Sequence, residues 1–290
     1  MMNDDTTEIR LALPKGRMQA GILDLLAGAG IHITVSARGY RPSLSLPGFE
    51  AKLLKPQNVV EMLAAGSRDL GFAGADWVTE LDADLVELLD TGLDSVGIVA
   101  AAPVDLVQDG QLPKRHLVVA SELERITTDW IRSKGLDATF VRTYGATEVF
   151  PPEDADVIVD VTATGETLEA NKLVIVEELF RSSTRLFASP GALANPAKKA
   201  RIDELLLLLT SVLEARRRMM VEVNVPADIL EDVIAILPGM GEPTMAPLHG
   251  GTGYAVKAAV LKKDLTRIIP EIKRRGGTDI VVTELSQIVP

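Results

Sequence analysis

The feature that most constrains this chain is a repeated change of period: a short apolar run, a turn made by Pro or Gly, then a helical stripe. Ile9 to Leu13 gives way to Pro14-Lys15-Gly16-Arg17 and then to Ile22, Leu23, Leu25 and Leu26, closed by Gly28 and Gly30. The later leucines share one helix face, whereas the run before them has the length of a strand. A second round uses Phe49 to Leu54, Lys55-Pro56, the stripe Val59, Val60, Met62 and Leu63, a stop at Gly66, and the apolar run Leu70 to Phe72. Strands separated by helices pair in parallel, so the pattern predicts an α/β fold with a helix-covered sheet.

After Ala100-Ala101-Ala102-Pro103 a polar stretch through Pro113 reads as the passage into a second lobe. There Leu117 to Ala120 is a strand, Glu122 to Lys134 a helix closed by Gly135, Ala138 to Val141 a strand, and Val157 to Val159 a buried strand ending in Asp160. Leu173 to Val176 and Arg185 to Phe187 read as further strands. Asn195-Pro196 starts a helix that carries the five leucines Leu205 to Leu209 and lasts to about Met219, with Arg216-Arg217-Arg218 as a solvated C-terminus. Five adjacent leucines imply packing on several sides, in the core or against another subunit.

The order then changes: strand Val221 to Val225, helix Ala227 to Ile236, strands Thr244 to Leu248 and Tyr254 to Val260, helix Asp264 to Arg274, strand Ile280 to Val282. This is the βαββαβ order of a small ferredoxin-like domain.

The chain has no cysteine and three histidines, so any metal should be a hard cation on oxygen ligands. His32, His116 and His249 lack the spacing of a ligand pair and read as structural or surface residues. A net charge of -11 and 4% aromatic residues argue against a nucleic-acid surface, so phosphates would bind in local pockets. Met1-Met2-Asn3-Asp4-Asp5 is acidic where a secretory signal is basic, and no segment offers the roughly eighteen apolar residues of a membrane span. A cytoplasmic protein is expected.

Asp160-Val161-Thr162-Ala163-Thr164-Gly165-Glu166-Thr167-Leu168 follows a strand and enters a helical stretch. Exposed amides at such a turn suit an anion, with Gly165 letting the backbone approach and Thr164 and Thr167 adding hydroxyls. Taken alone, Thr162 and Thr164 read as helix caps. The whole string, however, closely resembles the phosphoribosyl-pyrophosphate loop of the ATP phosphoribosyltransferase family. Leu13-Pro14-Lys15-Gly16-Arg17 resembles the family's opening and Leu70-Gly71-Phe72-Ala73-Gly74-Ala75-Asp76 its glycine-bearing turn. Leu237-Pro238-Gly239-Met240-Gly241-Glu242-Pro243-Thr244 resembles the regulatory domain of the long form. This chain has Lys55-Pro56 where the family usually has Arg-Pro, a shorter stretch from Glu148 to Asp160, and no Tyr-Pro after Ala120-Ser121.

The resemblance implies a two-lobed core like a periplasmic binding protein, with residues 1–103 and 185–216 as the first lobe, 104–184 as the second, and 217–290 as a histidine-sensing domain. It implies attack by N1 of ATP on C1 of phosphoribosyl pyrophosphate with magnesium present, yielding phosphoribosyl-ATP and pyrophosphate in the first step of histidine biosynthesis. Asp160 and Glu148 would accept from ribose hydroxyls or orient magnesium, and Asp160 with Thr162, Ala163, Thr164, Gly165, Glu166 and Thr167 would hold the donor. Lys15, Gly16, Arg17, Lys55 and Asp76 would face ATP or pyrophosphate, with Lys15 also counted as catalytic; Asp76 serves equally well as a helix cap. Glu222, Met240 and Thr244 would bind histidine as inhibitor in a homo-oligomer switching between dimer and hexamer. A noncatalytic bilobal anion-binding protein and an inactive regulatory paralogue are the alternatives.

Overall fold

The computed structural model describes residues 7–35 and 39–289; the acidic start Met1 to Asp5 lies outside them. The chain divides into two units, residues 7–23 with 32–202, and 24–31 with 203–289.

In the first unit, β1 (Ile9–Pro14), α1 (Arg17–Gly28), the short pair β2 (Ile33–Thr34) and β3 (Ser43–Leu44), β4 (Phe49–Leu54), α2 (Pro56–Ala64), β5 (Leu70–Gly74) and α3 (Ala75–Glu80) follow the alternation expected. α1 continues past Leu23 into the second unit. β1 pairs in parallel with β4 and β5, and Ala12, Val59, Val60, Leu63 and Ala73 form a buried core beneath. β6 (Val86–Pro103), β7 (Leu117–Ser121), α4 (Glu124–Lys134), β8 (Ala138–Arg142), β9 (Val157–Thr162), α5 (Glu166–Ala170), β10 (Leu173–Ala188) and α6 (Pro190–Ala194) come next. Among the described residues they complete one sheet of eight strands, ordered β4-β1-β5-β10-β6-β9-β7-β8.

Two lobes share this sheet because β6 and β10 are long antiparallel partners, paired from Leu173↔Pro103 to Ala188↔Val86. The sequence reading missed β6 as a strand and split β10 in two. Five register shifts break the alternation along the pair, and Glu177, Glu178 and Arg181 interrupt its apolar pattern. The ladder, not the pattern, makes the strand continuous. Val96, Ile98, Ala100 and Ala102 already pack with Leu117, Val119, Val157 and Trp130, ahead of the turn at Pro103 read as the crossing. On the opposite face Val99, Ala101, Ala120, Ile158, Leu168 and Leu173 form another core.

The unit boundary falls inside α7 (Pro196–Arg217) at Ile202 and Asp203. Leu205 and Leu209 are buried while Leu207 is half exposed, so the leucine run has one packed stripe and one open side. Arg216 and Arg217, which end the helix, and Arg218, which follows it, are paired, Arg216 with Asp24 and the other two with Glu214.

In the second unit follow β11 (Arg218–Pro226), α8 (Leu230–Ile234), β12 (Thr244–Pro247), β13 (Gly253–Leu261), α9 (Leu265–Arg274) and β14 (Thr278–Glu284). The sheet order β12-β13-β11-β14, antiparallel throughout, is the ferredoxin-like arrangement expected. Val221, Val223, Val225, Val256, Ala258 and Val260 pack against Val233, Ile268 and Ile272, which gives this unit a core of its own.

Candidate functional site

Asp160 stands where β9 leaves the core: Val157 to Val159 are fully buried and the next three residues are half-buried. Its Oδ1 accepts from the amide of Val161 at 2.7 Å. Burial pushes the carboxyl up to about 6; the Val161 amide opposes the rise, and the nearby carboxylates of Glu148 and Glu122 add to it. Glu122 had carried no functional signal in the sequence. Glu148 arrives on a single 3-10 turn, Thr147–Val149, anchored by a 2.8 Å contact between the buried hydroxyls of Thr143 and Thr147.

The turn beyond Asp160 is tight. Thr162 Oγ1 accepts from the amide of Gly165 at 3.0 Å, Thr164 Oγ1 lies 3.4 Å from the amide of Glu166, and Gly165 takes φ 85°, a left-handed value that favours glycine. Both threonines therefore cap backbone amides here, and α5 has only five residues. So short a helix has little dipole, and only individual amides and hydroxyls of this turn could attract an anion. Asp160, Glu148, Arg17 and turn residues 161–168 line a cleft of about 290 Å³.

Of the candidates in the first lobe, only Arg17 lines that cleft. Gly16, at φ 78°, turns the chain from β1 into α1 so that exposed Arg17 opens the helix. Lys15 donates its amide to Leu54 O at 2.8 Å and sets its ammonium 3.3 Å from the centre of the Tyr40 ring. Lys55 is exposed at the start of α2.

Asp76 is only 5% exposed, which leaves little of it for a ligand. Its Oδ1 accepts from Ser182 Oγ at 3.0 Å, while that hydroxyl accepts from the Asp76 amide at 3.1 Å. Burial raises its carboxyl, opposed by Ser182, by the Trp77 and Asp76 amides and by the charge of Arg17. A Cβ on Gly74 would stand 2.0 Å from Asp76 Oδ1, so this turn needs its glycine. Ser182 gave no sequence signal because it is 106 residues from its partner.

In the second unit, Met240 and Thr244 line a cavity of about 240 Å³ with Met220, Glu242 and Lys257. Glu222 is outside that lining but pairs with Lys257 at 2.6 Å. A larger cavity, about 600 Å³, opens beside Trp130 and Lys134 at the opposite end of the second lobe's strands. Two of its cations are engaged, Lys134 with Glu177 and Arg115 with Asp156, both at 2.7 Å. The smaller cleft, with its open carboxylates, cation and amide turn, is the better place for chemistry. Among the described residues no cluster of three or more His, Asp or Glu is placed to hold a metal, and no helix is long and apolar enough to cross a membrane.

Fold and cleft together define a two-lobed α/β protein with a carboxylate-rimmed cleft at a tight turn and a ferredoxin-like C-terminal module. Residues 55–211 match the family model for ATP phosphoribosyltransferase, and residues 215–287 match the model for the HisG C-terminal domain. The ATP phosphoribosyltransferase of Chlorobium luteolum is 34% identical over 99% of this chain and 100% of that relative. That of Pelotomaculum thermopropionicum is 34% identical over 98% and 100% of the two chains. A solved ATP phosphoribosyl transferase (HisG:HisZ) complex from Thermotoga maritima contains a chain 25% identical, at a TM-score of 0.63, covering 71% of this chain and 98% of that one. The chain belongs to the ATP phosphoribosyltransferase family, in the long form that carries the C-terminal domain.

Proposed function

We propose that the chain transfers the phosphoribosyl group of phosphoribosyl pyrophosphate to N1 of ATP, the first step of histidine biosynthesis, using the cleft at Asp160. The carrying observation is the convergence of Arg17, Glu148, Asp160 and the 162–167 turn on one cleft. The adenine N1 lone pair forms the bond to C1 of the ribose as the C1–O bond breaks, and pyrophosphate leaves with the electron pair. Positive charge grows on the sugar ring, so carboxylates accepting from ribose hydroxyls stabilise the transition state.

Asp160 and Glu148 take that role, the amides and hydroxyls of the turn hold the 5-phosphate, and Arg17, supported by Lys15 and Lys55, faces the pyrophosphate or ATP phosphates. Asp76 acts at one remove, by orienting the turn behind Arg17. The protein's main contribution is alignment of two anionic substrates. Asp160 and Glu148 would hold magnesium through their carboxylate oxygens, and the ion would offset the charge of the leaving pyrophosphate.

Histidine is assigned to the cavity of the second unit, where Lys257 suits its carboxylate and Glu242 its amine or imidazole, beside Met240 and Thr244, with Glu222 acting through its pair with Lys257. A cytoplasmic homo-oligomer passing between dimer and hexamer would transmit its binding. The test mixes purified chain with ATP, magnesium and phosphoribosyl pyrophosphate. Pyrophosphate release with the ultraviolet change of an N1-substituted adenine is expected, and absence of both sinks the proposal. Thr164→Ala with Thr167→Ala should raise the donor KM by about tenfold or more, and an unchanged donor KM removes the turn from the assignment.

A further inference from the structure

Helix α4 begins without a cap from its own sequence, since apolar Leu123 occupies the N-cap position. Two of its first amides are met from the other lobe. Glu80, the last residue of α3, accepts from the amide of Arg125 through Oε1 and from that of Ile126 through Oε2, both at 3.1 Å. Beside this contact Arg125 pairs with Asp82 at 2.9 Å, and Trp77 packs against the cores of both lobes.

The turn from which α4 grows is bound on its other side to the strand carrying Asp160. Ser121 Oγ accepts from the amide of Leu123 at 2.9 Å and donates to Val159 O at 2.6 Å, one residue before Asp160. Glu122, between them, is one of the carboxylates that act on Asp160.

We infer that Glu80 is a positioning residue for the transfer reaction: by capping α4 across the lobes it holds the Ser121–Leu123 turn against the strand end that carries Asp160. The inference rests on the proposal that this cleft is the transfer site. A cap supplied within the helix would steady α4 whatever the lobes do, whereas a cap supplied by α3 ties the placement of α4 to the contact between them. Glu80 is half-buried and touches neither the 162–167 turn nor the cleft lining, so its effect has to travel through α4.

The test compares the full chain with Glu80→Ala and Glu80→Gln, following pyrophosphate release against donor and ATP concentration, alongside thermal melts. Glu80→Ala is expected to lower kcat/KM for the donor by about tenfold, and Glu80→Gln, which keeps one acceptor oxygen, to recover part of that loss. The loss should appear in the donor's kcat/KM at temperatures where the melts show the Glu80→Ala chain folded. A cap that is structural and nothing more would lower the melting temperature while leaving the donor kinetics alone. That outcome in a folded Glu80→Ala chain overturns the inference. If Glu80→Ala does not fold, Glu80→Gln is judged by the same two readouts. No turnover by the unaltered chain would instead remove the functional proposal, and this inference with it.

Discussion

Asp160 is held where ionisation is hardest, with burial and two carboxylates against it. Its folded carboxyl titrates near 6 against an ordinary 3.8, so its contribution to stability is complete below 3.8 and is lost as pH rises through 6. Asp160→Asn should therefore stabilise the chain at pH 8 by about 2 kcal/mol, with the gain shrinking as pH falls towards 4, while transfer is lost. Melts showing a gain independent of pH would refute this. Asp69 is the opposite case. It is 3% exposed, and burial alone would raise its carboxyl, but Arg10 and Lys198, each at 2.9 Å, more than reverse that and hold it below the usual range. Its contribution is present above the ordinary carboxylate pKa and is lost as pH falls through the lowered one. Asp69→Ala takes the shared carboxylate from Arg10 and Lys198 and should cost about 3 kcal/mol in urea denaturation. The two residues also differ in legibility. Asp160 lies in a contiguous string whose turn chemistry can be read locally, whereas Asp69 meets Lys198 across 129 residues and nothing in the local pattern marks it.

At the scale of elements, the C-terminal module was almost fully readable. Its strands and helices are short, separated by clear turns, and patterned by one buried face: Val221, Val223 and Val225 alternate along β11, while Ile268 and Ile272 are one helical turn apart on α9. β6 and β10 were not readable, because both pass between two lobes with different burial and their bulges erase a period of two. The turn at Thr162 to Thr167 was readable as a string that leads into a helix, although α5, with five residues, is shorter than a helical stretch suggests. A glycine that the pattern passed over gives the sharpest test within the module. A Cβ on Gly253 would lie 2.2 Å from Val225 O, a backbone atom that cannot swing aside. Gly253→Ala should pry β13 from β11 and cost about 2 kcal/mol or more, read as a lowered melting transition for the module. An unchanged transition would mean that the pairing yields more easily than the distance allows.

For the whole molecule, the division into two units, each with its own core, sets a test of the regulatory proposal. A chain ending at Arg217 should keep pyrophosphate release and lose its response to histidine; inhibition surviving in the shortened chain would put the sensor elsewhere. The shared sheet has a consequence of another kind. β1, β4 and β5 are complete by residue 74, yet the open side of β5 is covered only by residues 184–188 of β10. On the ribosome that edge waits while more than a hundred further residues are added, roughly ten seconds of synthesis. For that interval the nascent chain exposes a bare strand to its neighbours on the polysome, and its yield in the cell depends on what shields the edge before the ribosome reaches Ala188.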